Sequence, residues 1–140
     1  MRRLPTFTAA AAGTMLVATG LWALLAPRAF YDATATFPPY NQHLLHDIGA
    51  FLVGLGAALL VGLRLTSGLS VALVANAVGA VLHALSHIVD RDLGGRAQDP
   101  VIFTVAAVAL TVAAAQSLME PHHESPHRRR SERPRQPGRT

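Results

Sequence analysis

Leu44–Arg64 reads LLHDIGAFLVGLGAALLVGLR and Leu69–Val89 reads LSVALVANAVGAVLHALSHIV. Past Asp47 the first has no Asp, Glu, Lys or Arg before Arg64, and the second has none at all. Each matches the ~20 residues that cross ~30 Å of hydrocarbon at 1.5 Å per residue. The break between them is short enough to make them antiparallel neighbours. The pair reads as a transmembrane hairpin.

Two further stretches without charge flank it, residues 4–27 and 100–119. The expected fold is all-α, a bundle of four transmembrane helices in up-down topology over about 7–26, 44–64, 69–89 and 101–119. These lie in a domain over 1–119. Apolar residues make up 51% of the chain and charged ones 14%, against roughly a quarter charged in a soluble domain. Pro27, Pro38, Pro39 and Pro100 fall at predicted helix ends, where a missing N–H costs little. Asp99-Pro100 reads as N-cap and first helical residue of the last helix. Met1-Arg2-Arg3 before an apolar run also fits a secretory signal cleaved near Ala23–Ala26. The run exceeds the usual h-region of about 7–15 residues, which favours a retained first helix.

There is no cysteine, which excludes disulfides, thiolate chemistry and Cys-ligated metals. All 12 cationic side chains are arginine. With four spans, Arg2, Arg3, Arg64 and the six arginines of the tail share one side, and Arg28, Arg91 and Arg96 the other. The positive-inside rule then puts both termini in the cytoplasm of a multi-pass cell-membrane protein. Residues 120–140 are rich in Arg and Pro without apolar periodicity, so a disordered cytoplasmic tail is expected. Arg128, Arg129 and Arg130 could contact anionic lipid headgroups at about 1 kcal/mol each. The tail lacks aromatic residues and a folded reading element, so nucleic acid is not an expected partner.

The polar residues of the hairpin gather at its outer end. His43, His46 and Asp47 open the second helix, and His83, His87 and Asp90 close the third. Counted from residue 66, His46 lies 20 positions before and His87 21 after. The six side chains should therefore lie at similar depth, each set on one helix face. Ionisable groups at such depth are costly and usually functional. Small residues run into both sets: His46, Ala50, Gly54, Ala58 and Gly62 on one helix, Ala75, Gly79, His83 and His87 on the other. Such stripes let membrane helices pack closely, so Ala50, Gly54, Ala58, Gly62, Ala75 and Gly79 are the expected seam of the hairpin. Asn76 is expected to add an interhelical hydrogen bond of about 1 kcal/mol.

Imidazole and carboxylate are ligands for a divalent metal, and two histidines can hold a haem b. The same groups could relay protons. As interfacial caps, Asp47 suits a helix N-terminus and His87 a C-terminus, and the cluster would then pin the second and third helices together. Trp22, Phe30, Tyr31, Phe37 and Tyr40 read as an interfacial aromatic belt, and Pro38-Pro39 as a stiff loop. No nucleophile–base arrangement appears, which disfavours an enzyme.

The run Asn41-Gln42-His43-Leu44-Leu45-His46-Asp47-Ile48-Gly49-Ala50, followed by the polar-ended helix Ala75–Asp90, resembles the small four-helix membrane proteins of actinobacteria loosely grouped with the DoxX-like families. The resemblance covers about residues 5–120 and rests on helix layout and the N-x-H-x-x-x-D-like opening of the second helix. DoxX-like proteins are associated with membrane redox partners, but no cysteine pair or quinone motif carries that role over. The reading is a non-enzymatic membrane component, or alternatively a metal- or haem-dependent redox or binding protein. A homodimer or a membrane-protein partner fits the small-residue faces expected to remain exposed on the first and fourth transmembrane helices.

Overall fold

The computed structural model describes residues 3–34, 37–65, 68–93 and 95–119. The tail with its Arg128–Arg130 lipid contact lies outside the described residues. Five helices follow one another: α1 (Arg3–Leu25), α2 (Pro27–Thr34), α3 (Gln42–Gly62), α4 (Gly68–Val89) and α5 (Asp99–Met119). There is no strand among the described residues. All except α2 are long and apolar enough to cross a membrane. Pro5 lies within the first turn of α1, where a backbone donor has no intrahelical acceptor to lose.

The short helix α2 stands where the sequence reading had only a loop. Pro27 both stops α1 and starts α2, serving as first helical residue. An Arg28–Asp32 pair at 3.0 Å supports its exposed side, with the i,i+4 spacing that joins neighbouring turns. Phe30 buries the other side against Ala23 and Leu45.

Size is distributed inversely to a water-soluble bundle. Ala9, Ala72, Ala77, Ala113 and Ala114 fill the main core with Leu59, Leu73 and Leu110. Meanwhile Phe7 is 72% exposed, Phe51 74% and Val71 72%. In water those side chains would drive aggregation; in lipid they are solvated, and close approach of helices through small residues supplies the cohesion.

The helices form a ring in the order α1, α3, α4, α5. The seams α1–α3 and α4–α5 are extensive, whereas α3–α4 and α1–α5 are lesser ones. On the α1–α3 seam, Gly20 faces Gly49 and Gly13 faces Gly56. A Cβ on Gly20 would stand 2.6 Å from the Gly49 carbonyl oxygen, and one on Gly56 2.7 Å from that of Gly13. The two backbones meet where no side chain intervenes.

The hairpin of α3 and α4 therefore differs from expectation. Its seam was expected along Ala50, Gly54 and Ala58 facing Ala75 and Gly79. Those five residues are exposed, and a Cβ on Gly54 or Gly79 would meet nothing within 4 Å. The helices meet near their turn instead. There Gly62 lies against Gly68, Leu69 and Ala72, and the Asn76 amide donates to the carbonyls of Ala72 at 3.0 Å and Leu55 at 3.4 Å. The physical reason is competition: α3 spends its closest-packing face on α1, whose glycines match it seven residues apart.

The main core occupies the end of the ring that holds the α3–α4 turn. There Ser70 and Ser117 join α4 to α5 through hydroxyls 2.6 Å apart. At the opposite end, a small cluster of Ala23, Phe30 and Leu45, backed by Tyr31 and Tyr40, packs α1, α2 and α3. The histidines belong to this second end.

Candidate functional site at the histidine end

α3 begins with Asn41 as its N-cap, the side-chain oxygen accepting from the Leu44 N–H at 3.1 Å. One turn on, His43 and Asp47 pair within the helix at 3.6 Å, both well exposed. His46 is half-buried between them in sequence. His43 and Asp47 therefore pair with each other on α3 itself.

The second set turns toward α5. His83 and His87, one turn apart on α4, have ring centroids 4.7 Å apart, and the Phe103 ring stands 4.4 Å from each. The Ser86 hydroxyl donates to the His83 carbonyl at 2.8 Å. Asp90 lies beyond the helix end and is exposed. It lines an open cleft with Phe37, Ser86, His87, Leu93 and Gly95.

Among the described residues, no three His, Asp or Glu side chains stand close enough together to hold one metal ion. The structure brings His43 to Asp47 and His83 to His87, and no bridge between the two sets is found among the described contacts. The pinning of the second helix to the third through these residues is accordingly not part of the α3–α4 seam. Because the His83 and His87 rings touch, a porphyrin cannot stand between them.

Phe103 was missed in the sequence, although a signal was present. His87 and Phe103 each lie eight residues from Gly95, so an antiparallel α4–α5 pair brings them level. Asp99 opens α5, yet its carboxylate turns back to accept from the Arg96 N–H at 2.7 Å rather than capping forward. The Arg96 guanidinium donates to the Ala33 carbonyl, which ties the α4–α5 connection to the end of α2. Gly95 takes φ +98° in this connection, a backbone region that favours glycine.

The aromatic residues form an ordered group around α2. Trp22 meets Phe30 edge-on at 5.4 Å, and Tyr31 meets Tyr40 at 5.2 Å and Phe37 at 5.9 Å. The Tyr31 hydroxyl donates to the Phe37 carbonyl at 2.6 Å. Arg28 lies over the Tyr40 ring at 5.1 Å, and the hydrogen bond to Asp32, followed by its charge, raises the guanidinium pKa further. Pro38 and Pro39, joined by a cis peptide bond, carry the chain from this group into α3.

No protein family, no curated protein and no solved structure matches the chain.

Proposed function

We propose that this chain is a non-enzymatic, multi-pass component of a cell membrane, with both termini cytoplasmic and the histidine end on the outer face. The observation that carries the reading is the inverted packing: four helices of 21–23 residues with alanine and glycine between them and large apolar side chains outside. Lipid is the solvent that suits such a surface. The excess of arginine at the termini and the α3–α4 turn supports the orientation. A role through a protein partner or a second copy is supported by the exposed small residues Ala50, Gly54, Ala58, Ala75 and Gly79 of α3 and α4, rather than by α1 and α5, whose Gly13, Gly20, Ala113 and Ala114 are buried. The DoxX-like resemblance is compatible with such a component.

A second reading, metal or proton chemistry at the histidines, is favoured by one observation, the contact of His83 with His87. A haem would need an imidazole from elsewhere.

The absence of cysteine makes a direct test available. Gln98→Cys and Thr140→Cys each introduce the chain's single thiol. In intact cells an impermeant maleimide should label Gln98→Cys at once and Thr140→Cys only after permeabilisation. The reverse pattern overturns the orientation, and recovery of the chain in the soluble fraction overturns the membrane reading.

A further inference from the structure

We propose that His83 and His87 form a two-imidazole chelate for a divalent transition metal of the Cu²⁺ or Zn²⁺ type, open to the outer aqueous side. An ion ~2.0–2.1 Å from a nitrogen of each ring sets the ring centroids roughly 4.5 Å apart at the right angle of a tetragonal Cu²⁺ site and roughly 5.2 Å apart at the tetrahedral angle of Zn²⁺. The observed separation is 4.7 Å, with the planes at 79°. Imidazoles four residues apart on a helix share one face, and the Phe103 ring packs against both from the α5 side, edge-on to His83 at 75° and tilted by 30° to His87. Two nitrogens leave the remaining positions to water, the tetragonal N,O environment that Cu²⁺ accepts.

Gly95 supplies an independent feature of the same place. A Cβ there would lie 3.3 Å from Asp99 Oδ2 and 3.8 Å from His87 Nδ1. With no side chain in the way, the Asp99 carboxylate and the His87 imidazole both approach this backbone position on the cleft side of the pair. Asp99 acts there through water, orienting a ligand shell rather than binding the ion, as carboxylates beside metal-bound imidazoles commonly do. The His43–Asp47 pair on α3 takes no part, because it stands as a separate pair.

The site rests on the proposed membrane reading only in facing the outer solution, so thiol labelling and metal binding fail separately. The probe is Cu²⁺ added to the detergent-purified full chain with His122, His123 and His127 changed to Gln, since tail histidines would bind it too. One equivalent should bind, and its electron paramagnetic resonance spectrum should report two equatorial nitrogens. His83→Gln and His87→Gln should each abolish that signal while helical circular dichroism is kept. His43→Gln should leave it unchanged, and Asp99→Asn should weaken binding about 10-fold. No bound copper, or an unchanged spectrum in His83→Gln, overturns the proposal.

Discussion

Gly49 and Gly56 lie on one side of α3, and Ala50, Gly54 and Ala58 lie on another. In residue size the two sides are nearly alike, and both run toward the histidine end. The first is pressed so tightly to α1 that a methyl group at Gly49 would stand 2.8 Å from a backbone oxygen, whereas one at Gly54 meets nothing. Small residues permit close approach but do not select a partner. Selection comes from the facing helix, where Gly13 and Gly20 repeat the same seven-residue interval in antiparallel register. No partner on α4 offers that match to Gly54.

Substitutions on the two sides of α3 test this difference. The largest effect is expected at Gly20→Ala and Gly56→Ala, where the added carbon meets backbone that cannot turn aside. Each should cost about 2–3 kcal/mol in detergent unfolding. A cost below that of surface substitutions would mean that α1 and α3 are not held as described. Gly13→Ala should cost about 1 kcal/mol, because the Gly56 carbonyl oxygen and the Leu60 side chain stand 3.0 Å from the added carbon, farther than the 2.6 Å backbone contact at Gly20, and the ranking below Gly20 is itself the check.

The seam at the α3–α4 turn comes next. Asn76→Leu removes the amide bonds to Ala72 and Leu55 and should cost about 1 kcal/mol. Ser117→Ala removes the hydroxyl contact to Ser70 and should cost about 0.5 kcal/mol, with Ser70→Ala adding little on top. A fully additive double mutant would show that the two hydroxyls do not act as a pair.

The smallest effect is expected at Gly54→Ala and Gly79→Ala, within about 0.5 kcal/mol of the parent. A larger loss, accompanied by a shift in oligomeric mass, would show that a second chain covers this face and that both sides of α3 are seams.

The candidate site was legible to a similar depth. His43 with Asp47 and His83 with His87 are readable as i,i+4 pairs, because such spacing sets neighbours within a helix whatever surrounds it. Their union into one six-residue site required α3 and α4 to stay in contact along their length. The core at the turn end joins all four helices, while the cluster at the other end contains no residue of α4 or α5. Level depth along two helices is not proximity across them. The helical start at Pro27 was hidden because proline ends one helix and opens another equally well.

Four apolar helices, their antiparallel order and the end at which the histidines gather all follow from composition and spacing along the chain. Charge-free length, helical rise and the cost of unpaired backbone in lipid leave no alternative at these lengths. Which faces meet follows from packing in three dimensions: α1 on α3 through glycines, α4 on α5 through alanines, serines and the Phe103 ring against His83 and His87. α3 carries more than one face small enough to pack. Dispersion falls away within about an ångström of lost contact, so the choice among faces depends on the fit of two surfaces at once, which no single helix encodes.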